Sequence, residues 1–86
     1  MNYNEIQLLI QYKRATRLLK VSQELKESIE KLVLLNNDEY NILTMLREII
    51  KIQEIKTKHF KKEIDKKNLL KNITINDLIN IESYDK

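Results

Sequence analysis

The chain has 86 residues with a formal net charge of +3, and it contains no glycine, proline or cysteine. This length allows one small domain with a core near the lower limit, which neither disulfides nor thiolate metal sites can reinforce. Because β turns need residues that tolerate positive φ or preset a turn, the lack of glycine and proline argues against a sandwich or barrel and predicts an all-α fold.

The first predicted element is a long helix over about residues 4–35. Apolar side chains recur there from Leu8 to Leu32 at the three-four spacing of one helix face. Asn2 or Asn4 can cap its start, because Glu5 and Gln7 follow three residues later, as a capping box requires. Such a helix is roughly 45 Å long.

The second element is a helix over about residues 38–67, after an Asn-Asn-Asp turn at 36–38. Asparagine replaces glycine well in a left-handed C-cap, and Asn37 or Asp38 can cap the next helix. Since so short a loop makes two helices antiparallel neighbours, we expect an antiparallel helical hairpin.

The third element is a short helix over about residues 75–83 that folds back on the hairpin. Thr74 with Asp77 has the spacing of a capping box, and Ile73 with Leu78 that of a hydrophobic staple. The isoleucines between 73 and 81 would also suit a strand, but a lone strand has nothing to pair with. We expect residues 1–86 to form one helical domain.

Few residues in the sequence are suited to catalysis or metal binding. The single His59 lies among lysines, and one histidine binds a metal only with carboxylate or thiolate help. No serine has a histidine at a spacing that would activate it, and phosphate-cradling loops need glycine. We therefore predict no enzymatic activity, no cofactor and no metal site.

The sequence also bears on location and origin. No apolar run is long enough to span a membrane, and no signal peptide is visible at the start, so we expect a cytoplasmic protein without membrane contact. Lysine, isoleucine and asparagine dominate the composition, as in AT-rich genomes. The size and composition are typical of accessory proteins of bacteria, phages or other mobile elements.

The predicted helices carry more apolar surface than a hairpin and one short helix can bury. Apolar side chains cover most of the circumference near residues 6–10 and again near 42–55. Because exposed apolar surface of this extent usually marks an interface, we predict a homodimer. A compact three-helix monomer is the alternative. The predicted interface residues are Ile6, Leu9, Ile10, Met45, Ile49 and Ile52.

Basic residues concentrate on the open half of the predicted hairpin, whereas acidic residues lie toward its turn. Such a basic end can neutralise phosphates, although a solvated, lysine-rich face is the simpler interpretation. The candidate nucleic-acid contacts are Arg14, Arg17, Lys56, Lys58, Lys61 and Lys62.

The apolar spacing over 48–64 also fits a degenerate helix-turn-helix. Its turn position is Glu54, where such motifs prefer glycine, and a continuous helix explains the same residues.

Taken together, these patterns predict a small non-catalytic module that docks on a partner protein as a regulator, adaptor or inhibitor. The alternative function is DNA or RNA binding through the basic end.

Overall fold

The computed structural model describes residues 1–32 and 34–84. Within these ranges the chain forms α1 (Tyr3–Glu30), α2 (Asn37–Lys66) and α3 (Ile75–Tyr84), and no strand. The all-α prediction is confirmed, and α1 packs against both α2 and α3. The described part contains no helix with the length and apolar character needed to cross a membrane.

Side-chain caps fix the starts of the helices. At α1, the Glu5 N–H donates to Asn2 Oδ1 over 2.8 Å and the Asn2 N–H donates to Glu5 Oε1 over 3.1 Å, which completes the predicted capping box. At α2 the cap is Asn36, whose Oδ1 accepts from the Glu39 N–H at 2.8 Å. The cap of α2 is therefore one residue earlier than Asn37, the first candidate from the sequence.

The connection between α1 and α2 is longer than predicted. α1 ends at Glu30 rather than near residue 35, and α2 already begins at Asn37, so the turn is not confined to 36–38. Because Asn36 must be extended to cap α2, the chain has to leave α1 several residues earlier. Leu34 is 87% exposed, so its side chain adds little packing to this connection. Residue 33 lies outside the described residues.

α2 runs without interruption through Glu54. A helix-turn-helix over 48–64 needs a break there, so this form of the alternative prediction is wrong. Gln53 and Glu54 favour a helix, and no glycine or proline interrupts the segment.

The end of α2 directs the chain back onto α1. Asn68 has φ 53°, the left-handed conformation that asparagine tolerates after a helix. The Leu69 N–H donates to the Ile64 carbonyl at 3.2 Å, and the Asn68 N–H donates to the Asp65 carbonyl at 3.1 Å. These are the two hydrogen bonds of a Schellman motif, and its apolar pair, Ile64 and Leu69, belongs to the main core.

α3 closes this end of the molecule. The Asp77 N–H donates to Thr74 Oγ1 at 3.2 Å and the Thr74 N–H donates to Asp77 Oδ2 at 3.0 Å, as the sequence predicted. The Tyr3 and Tyr84 rings meet edge to face with centroids 5.8 Å apart. The core here is formed by Ile6, Leu9, Ile10, Ile64, Leu69 and Ile81.

Candidate interaction surface

Three of the six predicted interface residues lie inside the chain's own core. Ile6, Leu9 and Ile10 are all less than a tenth exposed. α3 and the segment after α2 cover the start of α1, which a two-helix hairpin alone would leave open. The assignment of these three residues to a partner interface is therefore corrected: their apolar surface is already buried.

The other three predicted interface residues remain accessible on α2. Met45 is 60% exposed, Ile52 is 51% exposed, and Ile49 between them is half-buried. Their spacing of four and then three residues places them along one line of the helix surface. The same alternation continues in both directions and defines the α2 stripe: Asp38, Ile42, Met45, Ile49, Ile52 and Lys56.

A second exposed line runs along α1 and was not singled out from the sequence. It defines the α1 stripe: Arg14, Leu18, Val21 and Leu25, all exposed. The apolar spacing in the sequence places Leu18 and Leu25 on the same helix face as Ala15 and Ser22. In the structure, the small residues Ala15 and Ser22, seven positions apart, are the buried residues on that face.

The two stripes lie on the same side of the layer formed by α1 and α2. One open groove between the helices is lined by residues of both, including Arg14 and Leu18 from α1 and Lys56 from α2. Lys56 is the member of the α2 stripe in this lining, and the four-three spacing carries the rest of that stripe along the same side of α2. We call the apolar part of the two stripes the apolar face: Leu18, Val21, Leu25, Ile42, Met45, Ile49 and Ile52.

The candidate cationic residues do not form one patch. Arg14 and Lys56 border the groove, with Ala15 and Phe60 also in its lining. Lys56 and Lys58 are two residues apart on a helix, so about 200° of rotation around the helix axis separates them and they lie on nearly opposite sides. Lys61 Nζ pairs with Asp65 Oδ1 at 3.1 Å, while the remaining candidates, Arg17, Lys58 and Lys62, are exposed.

Asp77 is the buried carboxylate among the described residues, and its surroundings give it a structural role. The backbone N–H of Thr74, and then its hydroxyl, hold the pKa of Asp77 below the ordinary value, against the opposing effect of burial. The Met1 amino group lies 3.8 Å from Asp77 Oδ1. The carboxylate thus caps α3.

Metal-binding groups are not clustered. Across residues 1–32 and 34–84, no three histidine, aspartate or glutamate side chains lie together in a way that could hold a metal ion. His59 is exposed and its ring contacts Phe60, with centroids 5.8 Å apart.

Neither the sequence nor the structure matches a known protein family, a curated protein or a solved structure.

Proposed function

We propose that this chain is a small, non-catalytic protein-interaction module that docks through its apolar face and acts as a regulator, adaptor or inhibitor. The observation that carries the proposal is the apolar face itself. It places seven large apolar side chains, exposed or half-buried, on one side of two helices. Contiguous apolar surface of this kind is characteristic of protein interfaces.

We infer that α1 and α2 form an antiparallel hairpin beneath this face. Two observations at opposite ends support the inference. Ile10, early in α1, shares a core cluster with Ile64, late in α2. Glu30, the last residue of α1, lies 3.9 Å from Arg47 in the first half of α2.

Association through the apolar face also offsets the small size of the core. In the half of the hairpin near the α1–α2 connection, Leu43 and Leu46 are the buried large apolar side chains of the described residues. A chain this short buries only about 60–65% of its unfolded surface, so covering the face adds stability that the monomer lacks. We therefore propose that the module is a homodimer.

Substitution of Ile49 by aspartate tests this function. Ile49 lies mid-way along the α2 stripe, so a carboxylate there would be desolvated in any complex formed through the apolar face. We expect Ile49→Asp to lower the particle mass, measured by light scattering, while circular dichroism shows the helices retained. The control is Ile79→Asp, the same change at an exposed isoleucine of α3. An unchanged dimer mass for Ile49→Asp would refute the proposed docking face.

Nucleic-acid binding is the second candidate, favoured by the groove that brings Arg14 and Lys56 together beside Phe60. Phosphate contacts by cations release counterions, so binding would weaken steeply with salt. The measurement is anisotropy of a labelled duplex between about 50 and 200 mM salt. Micromolar binding that Arg14→Gln and Lys56→Gln weaken would favour this candidate, whereas no binding at the lowest salt would remove it.

A further inference from the structure

The α2 stripe combines heptad spacing with a charged residue at each end. Its residues alternate at spacings of four and three, the a and d positions of a heptad, over the whole length from Asp38 to Lys56. A carboxylate stands at one end, an ammonium at the other, and four apolar residues lie between them. The two ends of the stripe therefore carry opposite charges.

We propose that the occupant of the apolar face is a second copy of this chain, docked so that the two α2 helices run antiparallel about a midpoint between Met45 and Ile49. The inference rests on the proposed function, because it uses the same apolar face. It adds the orientation and the register of the two chains in the homodimer.

The α2 stripe is complementary to the same stripe of a second chain that runs in the opposite direction. About this midpoint, Met45 lies opposite Ile49 of the partner subunit, and Ile42 lies opposite Ile52 of the partner subunit. Asp38 then lies opposite Lys56 of the partner subunit, and each pair occurs twice by symmetry. Every layer combines an a position with a d position, as antiparallel helix pairs require, and a two-fold interface must be self-complementary in this way.

Charge selects this orientation over a parallel one. In a parallel pairing, the Asp38 carboxylates would face each other, and so would the Lys56 ammonium groups. Like charges across an interface suppress a pairing, whereas opposite charges fix its register. Asp38 and Lys56 are both exposed in the single chain, so both are accessible for such a pairing.

The α1 stripe lies to one side of this helix pair. Glu30, at the end of α1, lies 3.9 Å from Arg47, at the midpoint of the α2 stripe, so the two-fold axis passes close to that end of α1. Leu18, Val21 and Leu25 therefore lie away from the axis, beside the outer part of the contact between the two α2 helices.

Disulfide cross-linking tests the register, because the native chain has no cysteine. Two variants are made, Ile42→Cys and Ile52→Cys. In the antiparallel register, a disulfide forms when the two variants are mixed, and neither variant cross-links efficiently with itself. In a parallel register, each variant cross-links with itself. Ile79→Cys on α3, exposed and outside the apolar face, serves as the control for random collision.

A charge swap tests the same pairing without a cross-link. Lys56→Asp places two carboxylates together at each end of the dimer, and Asp38→Lys does the same with two ammonium groups. We expect each change to weaken dimerisation by about tenfold or more. Mixing the two variants, or combining both changes in one chain, restores it. Lys58→Asp is the matched control, since it makes the same charge change on the opposite side of α2.

The outcomes separate this inference from the function beneath it. Cross-linking on mixing, with rescue by the charge swap, supports the antiparallel dimer. Self-cross-linking of each variant, or a wild-type chain that stays monomeric at the highest concentration reached, overturns the inference but not docking on another protein. A wild-type dimer that is indifferent to Ile49→Asp overturns both.

Discussion

The half of the molecule that carries α3 and the half near the α1–α2 connection use similar residues in different ways. In the α3 half, Ile10 and Ile64 are almost completely buried. In the connection half, Leu25 and Met45 remain 47% and 60% exposed. The difference lies in coverage: α1 contacts both α2 and α3 at one end, and α2 alone at the other. Leu43 and Leu46 are buried with a single helix as neighbour, so the second neighbour at the α3 end decides how many further isoleucines and leucines become core residues.

The two halves therefore differ in what holds them together. The α3 half has a local cap, a Schellman turn and a buried cluster within the chain itself. The connection half depends on the buried Leu43 and Leu46, on the small buried Ser22, and on whatever covers the apolar face. Substitutions in the two halves should therefore have different effects.

The largest effect is expected from Ile64→Ala. Ile64 is fully buried, so the truncation leaves a cavity in the main core. We expect the free energy of unfolding to fall by about 2–5 kcal/mol, as measured by urea denaturation. Ile55→Ala on the same helix is the control. Ile55 is 63% exposed, so its change should cost less than about 0.5 kcal/mol. Equal losses would show that the α3 half does not hold the dominant core.

A smaller effect is expected from Ser22→Leu in the connection half. Ser22 is 3% exposed, and a small side chain there lets α1 lie close to α2. A leucine would force the helices apart, at a cost of about 1–3 kcal/mol in the free energy of unfolding. Gln23→Leu, one residue on and exposed, should leave the thermal midpoint nearly unchanged. A stabilising Ser22→Leu would mean that this contact is loosely packed.

The parts of the fold that depend on neighbouring residues could be predicted from the sequence. The capping pair Thr74 and Asp77 fixes the start of α3 through contacts three residues apart, so a local pattern suffices. The end of α1 could not be placed, because it depends on where the cap of α2 falls. The burial of Ile6, Leu9 and Ile10 depends on Asn68, whose left-handed conformation turns the chain back toward α1.

The candidate site follows the same division. Met45, Ile49 and Ile52 could be proposed as interface residues because α2 has more apolar positions than one neighbour covers. The α1 stripe could not be identified from the sequence, because the apolar spacing shows which residues share a helix face but not which edge of that face meets α2. The burial of Ala15 and Ser22 against α2 sets that edge and leaves Leu18 and Leu25 toward solvent. The heptad spacing of the α2 stripe, with Asp38 and Lys56 at its ends, was present in the sequence as a signal.

The smallest effect is expected from Thr57→Val, and it should be stabilising. Thr57 Oγ1 is buried without a hydrogen-bond partner among the described residues, whereas the exposed Thr44 donates its hydroxyl to the Tyr40 carbonyl at 3.1 Å.

Replacing an unsatisfied buried hydroxyl by a methyl group removes a desolvation penalty, so Thr57→Val should raise the free energy of unfolding by about 1 kcal/mol. Thr44→Val should change it by only a few tenths of a kcal/mol, because surface substitutions away from special features are nearly neutral. Thermal denaturation of both variants is the measurement. On α2, Thr57 comes shortly before Phe60, which lines the groove, and Ile64, which belongs to the main core. A destabilised Thr57→Val would therefore mean that water reaches this hydroxyl, and that the dry core of the α3 half ends before the groove begins.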